Sequence, residues 1–260
     1  INFDNRRPPA LLDLTRVAEL ARWHIEDGRV RLGAGVSYAR IITELADRLP
    51  GLAMAARTVG SPQIRNRGTV GGNLGTASPA GDTHPALLAG DAVVEAASVR
   101  GTRMIPADQF YLGVKRNALA PDELIAAVHV APAEGPQQFA KVGTRNAMVI
   151  AVCAFGLSLF PTSGRVGAAI GSASPTPRHA GAAEEFLAGE LTDQGCWESR
   201  KPLPDNVLRR FGELVSTAAA PIDDVRGSAA YRVHALAVLA RRTLGWAWQD
   251  YREGSWPACA

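Results

Sequence analysis

Apolar residues recur at helical spacing in two long segments of the chain. In residues 38–49, Ile41, Leu45 and Leu49 share one face, which predicts a helix. A similar spacing predicts a final helix over residues 230–248. Shorter apolar groups predict further helices over residues 17–23, 85–91, 180–187 and 204–217. Thr15 is the predicted N-cap of the first of these.

Other apolar segments are short and predict strands. Residues 92–96 and 99–105 together predict a hairpin. The longest apolar run, residues 147–157, is shorter than the roughly 18 residues that span a bilayer, so we expect a buried strand there. Further strands are predicted over residues 11–14, 29–36, 124–130, 138–142, 148–159 and 166–171.

Residues 131–136 are the predicted linker between two domains, because two prolines and a glycine interrupt any regular element there. The chain then divides into domains over residues 1–135 and 136–250, followed by a tail over residues 251–260 without a clear pattern. A length of 260 residues is enough for two domains with substantial cores.

Composition excludes several classes of function. A net charge of +3 and an aromatic content of 6% argue against nucleic-acid binding. The three cysteines and five histidines lack the spacing of a disulfide framework, a metal site or an iron–sulfur cluster. This cysteine usage predicts a reducing compartment, the cytoplasm. The first seven residues are not a signal peptide, and without an initiating methionine we expect the natural protein to begin upstream of Ile1.

Glycine and small polar residues are concentrated in residues 65–82, around the sequence Thr69-Val70-Gly71-Gly72-Asn73. So many glycines argue against a helix interior. Two interpretations stay open: a surface loop, and a cradle whose backbone N–H groups bind an anion. The stretch lacks the lysine of a P-loop, so a tightly held dinucleotide cofactor fits better than a nucleotide awaiting phosphoryl transfer.

Other candidate sites are weaker. Gly33-Ala34-Gly35 resembles the start of a dinucleotide fingerprint, but Tyr38 occupies the position of the third glycine, which favours a tight strand-to-helix turn. Ser78 and His84 are the only local nucleophile–base pair, and no nucleophile elbow surrounds the serine. Asp82 either caps the following helix or accepts a hydrogen bond from a sugar hydroxyl, and the cap is slightly favoured.

The ordered motifs resemble those of the FAD-binding (medium) subunit of the molybdenum hydroxylases, a family that includes carbon monoxide dehydrogenase and xanthine dehydrogenase. The sequence from Arg65 to Asn73 is similar to the family's second flavin motif, with its T-[IV]-G-G-[ND] core. Further similar motifs are Ala77-Ser78-Pro79 with Asp82, Phe139-Ala140-Lys141 through Arg145, Pro175-Thr176-Pro177-Arg178, and Asp224-Val225-Arg226-Gly227-Ser228 with Tyr231-Arg232. The family's first glycine-rich loop, which should precede residues 1–3, is absent, so we expect a missing N-terminal segment.

The resemblance implies an α+β fold. It has a two-lobed, PCMH-like FAD-binding domain, with a small α/β lobe and a larger lobe on a mostly antiparallel sheet. A C-terminal domain with a three-stranded antiparallel sheet and helices on one side follows. The implied FAD-binding residues are Thr69, Val70, Gly71, Gly72 and Asn73 around the pyrophosphate, Thr76 beside them, Asp82 on a ribose or ribityl hydroxyl, Leu124 and Ile125 in the adenine or flavin pocket, and Lys141 near the flavin ring.

The implied function is electron transfer. A large subunit hydroxylates a substrate at a molybdopterin centre, and electrons pass through two 2Fe-2S clusters of a small subunit to FAD on this chain and then to an external acceptor. We expect a dimer of heterotrimers that binds no nucleic acid and has no membrane span in this chain. Because the flavin does the redox chemistry, we expect no catalytic acid or base on this chain, and we also expect no metal ligand. An alternative from another class is a non-catalytic assembly subunit that does not retain FAD.

Overall fold

The computed structural model describes residues 10–256, and these residues contain sheets of five, four and two strands. The strands are β1 (Trp23–Glu26), β2 (Arg29–Gly33), β3 (Val93–Ser98), β4 (Gly101–Pro106), β5 (Tyr111–Gly113), β6 (Arg116–Asn117), β7 (Leu124–Val130), β8 (Gln137–Val142), β9 (Cys153–Phe160), β10 (Arg165–Gly171) and β11 (Arg178–His179). The helices are α1 (Tyr38–Glu44), α2 (Pro50–Arg57), α3 (Pro62–Arg67), α4 (Val70–Thr76), α5 (His84–Ala89), α6 (Ala107–Phe110), α7 (Gly181–Asp193), α8 (Cys196–Ser199), α9 (Asp205–Thr217) and α10 (Ala229–Glu253).

The five-stranded sheet has the order β1-β2-β7-β3-β4 and is antiparallel throughout. Its β3–β4 pair is the predicted hairpin, with Ser98 opposite Gly101 at the turn. Leu32, Val128 and Val94 lie side by side on neighbouring strands and are fully buried. They form one core with apolar residues of helices α1, α2, α4 and α5, so the sheet fixes the position of the glycine-rich stretch.

The four-stranded sheet has the order β11-β10-β9-β8. The predicted three-stranded sheet is confirmed for β8, β9 and β10, and the structure adds β11 as a fourth strand. This strand has only two polar residues, Arg178 and His179, so no apolar pattern marked it. Helices α7, α9 and α10 cover one face of the sheet, where Phe155, Phe211 and Leu236 are fully buried.

Helix α5 packs on the other face of this sheet in direct contact with its backbone. Successive strand residues point to opposite faces, so Phe155 faces the C-terminal helices and Gly156 faces α5. A Cβ atom on Gly156 would lie 2.6 Å from the carbonyl oxygen of Pro85, and one on Gly167 would clash with the carbonyl of Ala89. The glycines of β9 and β10 thus allow the two halves of the chain to meet without a gap.

The N-terminal elements differ from their predictions. The predicted helix over residues 17–23 is a single 3-10 turn, Ala18–Ala21, and Trp23 already begins β1. Thr15 does not cap it, because Val17 occupies the N-cap position and no side chain caps the turn. Residues 11–14 do not form the predicted strand, and residues 1–3, which the family's first glycine-rich loop should precede, lie outside the described residues.

Two further predictions needed correction. The predicted helix over residues 38–49 ends at Glu44, and Pro50 begins α2 at a first helical position, where proline is favoured. The predicted strand over residues 148–159 begins only at Cys153.

Helix α10 continues through Glu253 into the predicted tail. It ends at Gly254, whose φ of 65° is the left-handed conformation common after a helix. Among residues 10–256, no helix is long and apolar enough to cross a membrane.

Candidate cofactor site

The glycine-rich stretch contains the end of α3 and the whole of α4, and α4 forms although its glycines argued against a helix. Ser61 caps α3, with its hydroxyl oxygen accepting from the Ile64 N–H at 3.4 Å. Thr69 caps α4 in the same way, accepting from the Gly72 N–H at 3.0 Å. These caps satisfy backbone donors that a glycine-rich segment would otherwise leave to water, and so stabilise the helices.

Gly71 brings α4 against the end of β2. Its N–H donates to the carbonyl oxygen of Ala34 at 3.1 Å. A Cβ atom at this position would lie 2.5 Å from the Cβ of Ala34, so only glycine permits the contact. The N–H groups of Gly71 and Gly72 therefore both have acceptors within the protein, unlike the open cradle that the sequence suggested.

A cleft of about 790 Å³ lies beside α4, and we call it the α4 cleft. Its volume is in the range of small-molecule and cofactor sites. It brings together four of the predicted site residues: Thr69, Gly71, Gly72 and Ile125. Four further lining residues had no predicted binding role, although the last two lie within the flavin motif: Ser37, Leu119, Asn66 and Arg67. Asn66 and Arg67 directly precede the glycines. The positive charge of Arg67 next to a candidate anion site was the signal in the sequence that could have indicated a binding role.

The remaining predicted residues lie outside the lining of the α4 cleft. Val70 is fully buried in the core of the first sheet. Asn73 accepts a hydrogen bond from the Thr83 hydroxyl at 2.6 Å, and the exposed Thr76 donates to the Gly72 carbonyl at 2.8 Å. Leu124 is 37% exposed at the start of β7.

Asp82 and Lys141 form a largely buried ion pair between the two halves of the chain. Lys141 Nζ lies 2.7 Å from Asp82 Oδ2, and it also donates to the carbonyls of Thr58 at 3.0 Å and Val149 at 3.2 Å. Burial raises the pKa of Asp82, and the hydrogen bond and charge of Lys141 partly oppose the shift. Asp82 Oδ1 is buried and has no hydrogen-bond partner within the described residues.

The predicted cap at Asp82 is wrong, because Thr83 is the residue that precedes α5. Asp82 instead directs its carboxylate to a lysine far along the chain.

The other candidate sites have structural explanations. His84 is fully buried, its Nδ1 lies 2.9 Å from the Tyr111 hydroxyl, and burial lowers its pKa to about 3. The Ser78 hydroxyl accepts from the Ala80 N–H at 3.3 Å, so it pairs with backbone and not with an imidazole base. The predicted tight turn at Gly33 and Gly35 is closed by the Val36 N–H, which donates to the Gly33 carbonyl at 3.0 Å.

Family models match both halves of the chain. Residues 1–133 match the FAD binding domain in molybdopterin dehydrogenase, and residues 138–247 match the CO dehydrogenase flavoprotein C-terminal domain. The chain belongs to the family of FAD-binding subunits of molybdenum hydroxylases. These matches confirm the family that the sequence motifs indicated, and they confirm FAD as the expected cofactor.

Curated relatives and solved structures agree with this membership. The chain is 33% identical over 217 residues to the nicotinate dehydrogenase FAD-subunit of Eubacterium barkeri, covering 78% of this chain and 72% of the relative. It is 33% identical over 248 residues to the nicotine 6-hydroxylase medium subunit of Paenarthrobacter nicotinovorans, covering 92% and 82%.

A solved carbon monoxide dehydrogenase from Hydrogenophaga pseudoflava superimposes with a TM-score of 0.85 at 27% identity, covering 95% of this chain and 84% of that chain. Several relatives are named subunits or chains of dehydrogenases, so the chain is part of an oxidoreductase. The solved structure confirms the α+β fold.

The residues of this family member fit an FAD. The α4 cleft offers polar groups for phosphates from Ser37, Asn66 and Arg67, and apolar contact from Leu119 and Ile125. Gly72 is exposed, and a backbone without a Cβ can approach a ligand closely. The unpartnered Oδ1 of Asp82 is a buried acceptor that a ligand hydroxyl would satisfy.

Proposed function

We propose that this chain binds FAD in the α4 cleft and at the Asp82–Lys141 pair, and that it passes electrons from a partner's iron–sulfur clusters to an external acceptor. The observation that carries the binding site is the buried Oδ1 of Asp82, which lacks a partner within the described residues although Oδ2 is held by Lys141. Leaving a buried carboxylate oxygen unsatisfied is costly, and a ligand hydroxyl removes that cost.

Each group of residues has a distinct role in this proposal. The phosphates bind at the α4 cleft to the side chains of Asn66, Arg67 and Thr69. Gly71 and Gly72 have no Cβ, so the phosphates can approach the backbone closely. The apolar Ile125 and the neighbouring Leu124 contact a ring of the cofactor. Val70 acts from the core, by holding α4 in place.

Polar side chains at the other end of α4 complete the site. Asn73 and Thr76 fix the end of the helix through their hydrogen bonds, and Asp82 accepts from a sugar hydroxyl. Lys141 supplies positive charge next to the flavin, and FAD when bound supplies the redox chemistry.

The proposed partners are a large molybdopterin-binding subunit and a small 2Fe-2S subunit, assembled as a dimer of heterotrimers in the cytoplasm. The names of the relatives support the partners, because several are medium chains or subunits of dehydrogenase complexes. The scattered cysteines support the reducing compartment.

Flavin content of the purified protein tests the proposal. We expect a flavin absorption spectrum that Gly72→Asp abolishes, because the new carboxylate repels the phosphates and occupies the open side of α4. Gly189→Asp is the matched control, since this glycine of α7 has open space around it. Wild-type protein that copurifies with no flavin and takes up none from added FAD would contradict the proposal.

One observation favours the alternative, an assembly subunit without FAD. The N–H groups of Gly71 and Gly72 are satisfied inside the protein, so the glycine-rich helix is complete without a ligand. Copurification with the large and small subunits but without flavin would establish this alternative.

A further inference from the structure

Arg232 is a buried arginine near the start of α10 whose side chain joins three separate segments. Only 3% of the residue is exposed. Its Nη1 donates to the carbonyl oxygens of Val152 at 2.7 Å and Ser172 at 2.6 Å, and its Nη2 donates to Asp224 Oδ1 at 2.6 Å. Nη2 pairs with the Asp224 carboxylate, whereas both bonds from Nη1 go to backbone carbonyls and so hold two segments of the backbone.

The contact with Ser172 leads to Asp82. Ser172 has a φ of 60°, a conformation that residues with a side chain seldom adopt, and its carbonyl is held by Arg232. Its N–H donates to the carbonyl oxygen of Pro79 at 2.8 Å. Pro79 belongs to the turn between α4 and α5 that also carries Asp82. Arg232 thus holds Ser172 in place, and Ser172 holds the segment between α4 and α5 that contains Asp82.

The contact with Val152 leads to Lys141. The N–H of Val152 donates to the carbonyl oxygen of Val142 at 2.7 Å, and Val142 directly follows Lys141 on β8. The segment that Val152 closes also contains Val149, whose carbonyl accepts from Lys141 Nζ at 3.2 Å. The same guanidinium therefore orders the backbone on the lysine side of the ion pair.

We propose that Arg232 is a positioning residue that sets the placement of Asp82 relative to Lys141 in the cofactor site. This inference rests on the proposed function, in which the two side chains contact FAD. Arg232 has no bond to either side chain and acts through Ser172–Pro79 on one side and Val152–Val142 on the other. Its planar fork reaches three acceptors in fixed directions, which the single ammonium of a lysine cannot reproduce.

The affinity of the flavin-free protein for added FAD tests this inference. Arg232→Lys should weaken FAD binding at least tenfold, because it keeps the charge but loses the fork. Arg226→Met is the matched control: Arg226 also binds Asp224, at 3.0 Å through Nε, but its bonds to that carboxylate do not reach Val152 or Ser172. We expect its FAD affinity to stay within twofold of wild type.

A double variant separates positioning from general stability. If Arg232 acts through the ion pair, Asp82→Asn should reduce FAD affinity by a smaller factor in the Arg232→Lys protein than in wild type. In the flavin-free protein, hydrogen exchange at the amides of Val152 and Ser172 should be faster in Arg232→Lys and unchanged in Arg226→Met.

Two results would overturn the inference alone: FAD affinity of Arg232→Lys equal to wild type, or losses that multiply independently in the double variant. Absence of FAD binding by the wild-type protein would overturn the proposed function and this inference together.

Discussion

Removing the ammonium of Lys141 should destabilise the protein strongly at neutral pH. Lys141→Met keeps the aliphatic stem but removes the donor to Asp82 Oδ2 at 2.7 Å and to the carbonyls of Thr58 and Val149. The two side chains are only 11% and 10% exposed, so water does not replace the lost donor. Breaking a buried pair in this way costs about 3–5 kcal/mol, because an uncompensated charge stays behind. At about 2–4 °C per kcal/mol, the unfolding midpoint should fall by roughly 6–20 °C.

The size of this loss should depend on pH. Burial already raises the pKa of Asp82, and Lys141→Met removes the cation that opposes the shift. The folded protein then binds the carboxyl proton more tightly than the unfolded chain, whose aspartate pKa is about 3.9. The destabilisation is therefore complete above the folded-state pKa of Asp82 and fades as the pH falls through it, because the neutral acid no longer needs a cation.

Urea unfolding of the flavin-free proteins at several pH values from 7 to 4, followed by tryptophan fluorescence, measures both effects. Bound flavin must be removed because a ligand of the folded state adds its own stabilisation. Lys201→Met, at an exposed lysine, is the control and should stay within about 0.5 kcal/mol of wild type. Asp82→Asn combined with Lys141→Met removes the buried charge and should regain much of the loss. A loss below about 1 kcal/mol at pH 7, or a loss that stays the same down to about pH 4, would refute the reasoning.

Further predictions concern close contacts and helix caps. Thermal melts of the flavin-free proteins measure the change in the free energy of unfolding in each case. Gly167→Ala should lower the free energy of unfolding by about 1–3 kcal/mol, because the methyl group clashes with the Ala89 carbonyl. Gly189→Ala, at an open position within α7, should raise it by up to about 1 kcal/mol, and equal effects of the two would contradict the contact. Ser228→Ala removes the hydroxyl that accepts from the Tyr231 N–H and should cost about 0.5–2 kcal/mol. Ser228→Asp should keep the cap, so matching losses would show that the cap contributes nothing.

Features encoded by local pattern were predictable from the sequence. The β3–β4 hairpin followed from two short apolar segments, and the core strands of the second sheet followed from their apolar runs. The glycine-rich stretch was harder, because low helix propensity argued against α4. The cap from Thr69 and the contact of Gly71 with Ala34 outweighed that propensity, and the second of these is a contact between distant segments.

The cofactor site shows the same limit. The resemblance selected Asp82 and Lys141, but local sequence favoured a helix cap for the aspartate. The ion pair forms across 59 positions of the chain, and only the folded arrangement of the two sheets brings its members together. Asn66 and Arg67 received no individual role, because their place in the lining depends on how β2, α3 and α4 converge on one cleft.

The contact of α5 with the second sheet has a consequence for synthesis of the protein. Helix α5 ends at Ala89, whereas β10, the strand on which it packs, ends at Gly171. At about 5–20 residues per second, a ribosome needs roughly 4–16 s to make the intervening stretch of about 80 residues. During this interval Pro85 and Ala89 have no sheet to cover them. This surface of α5 is therefore covered only after β9 and β10 have been synthesised.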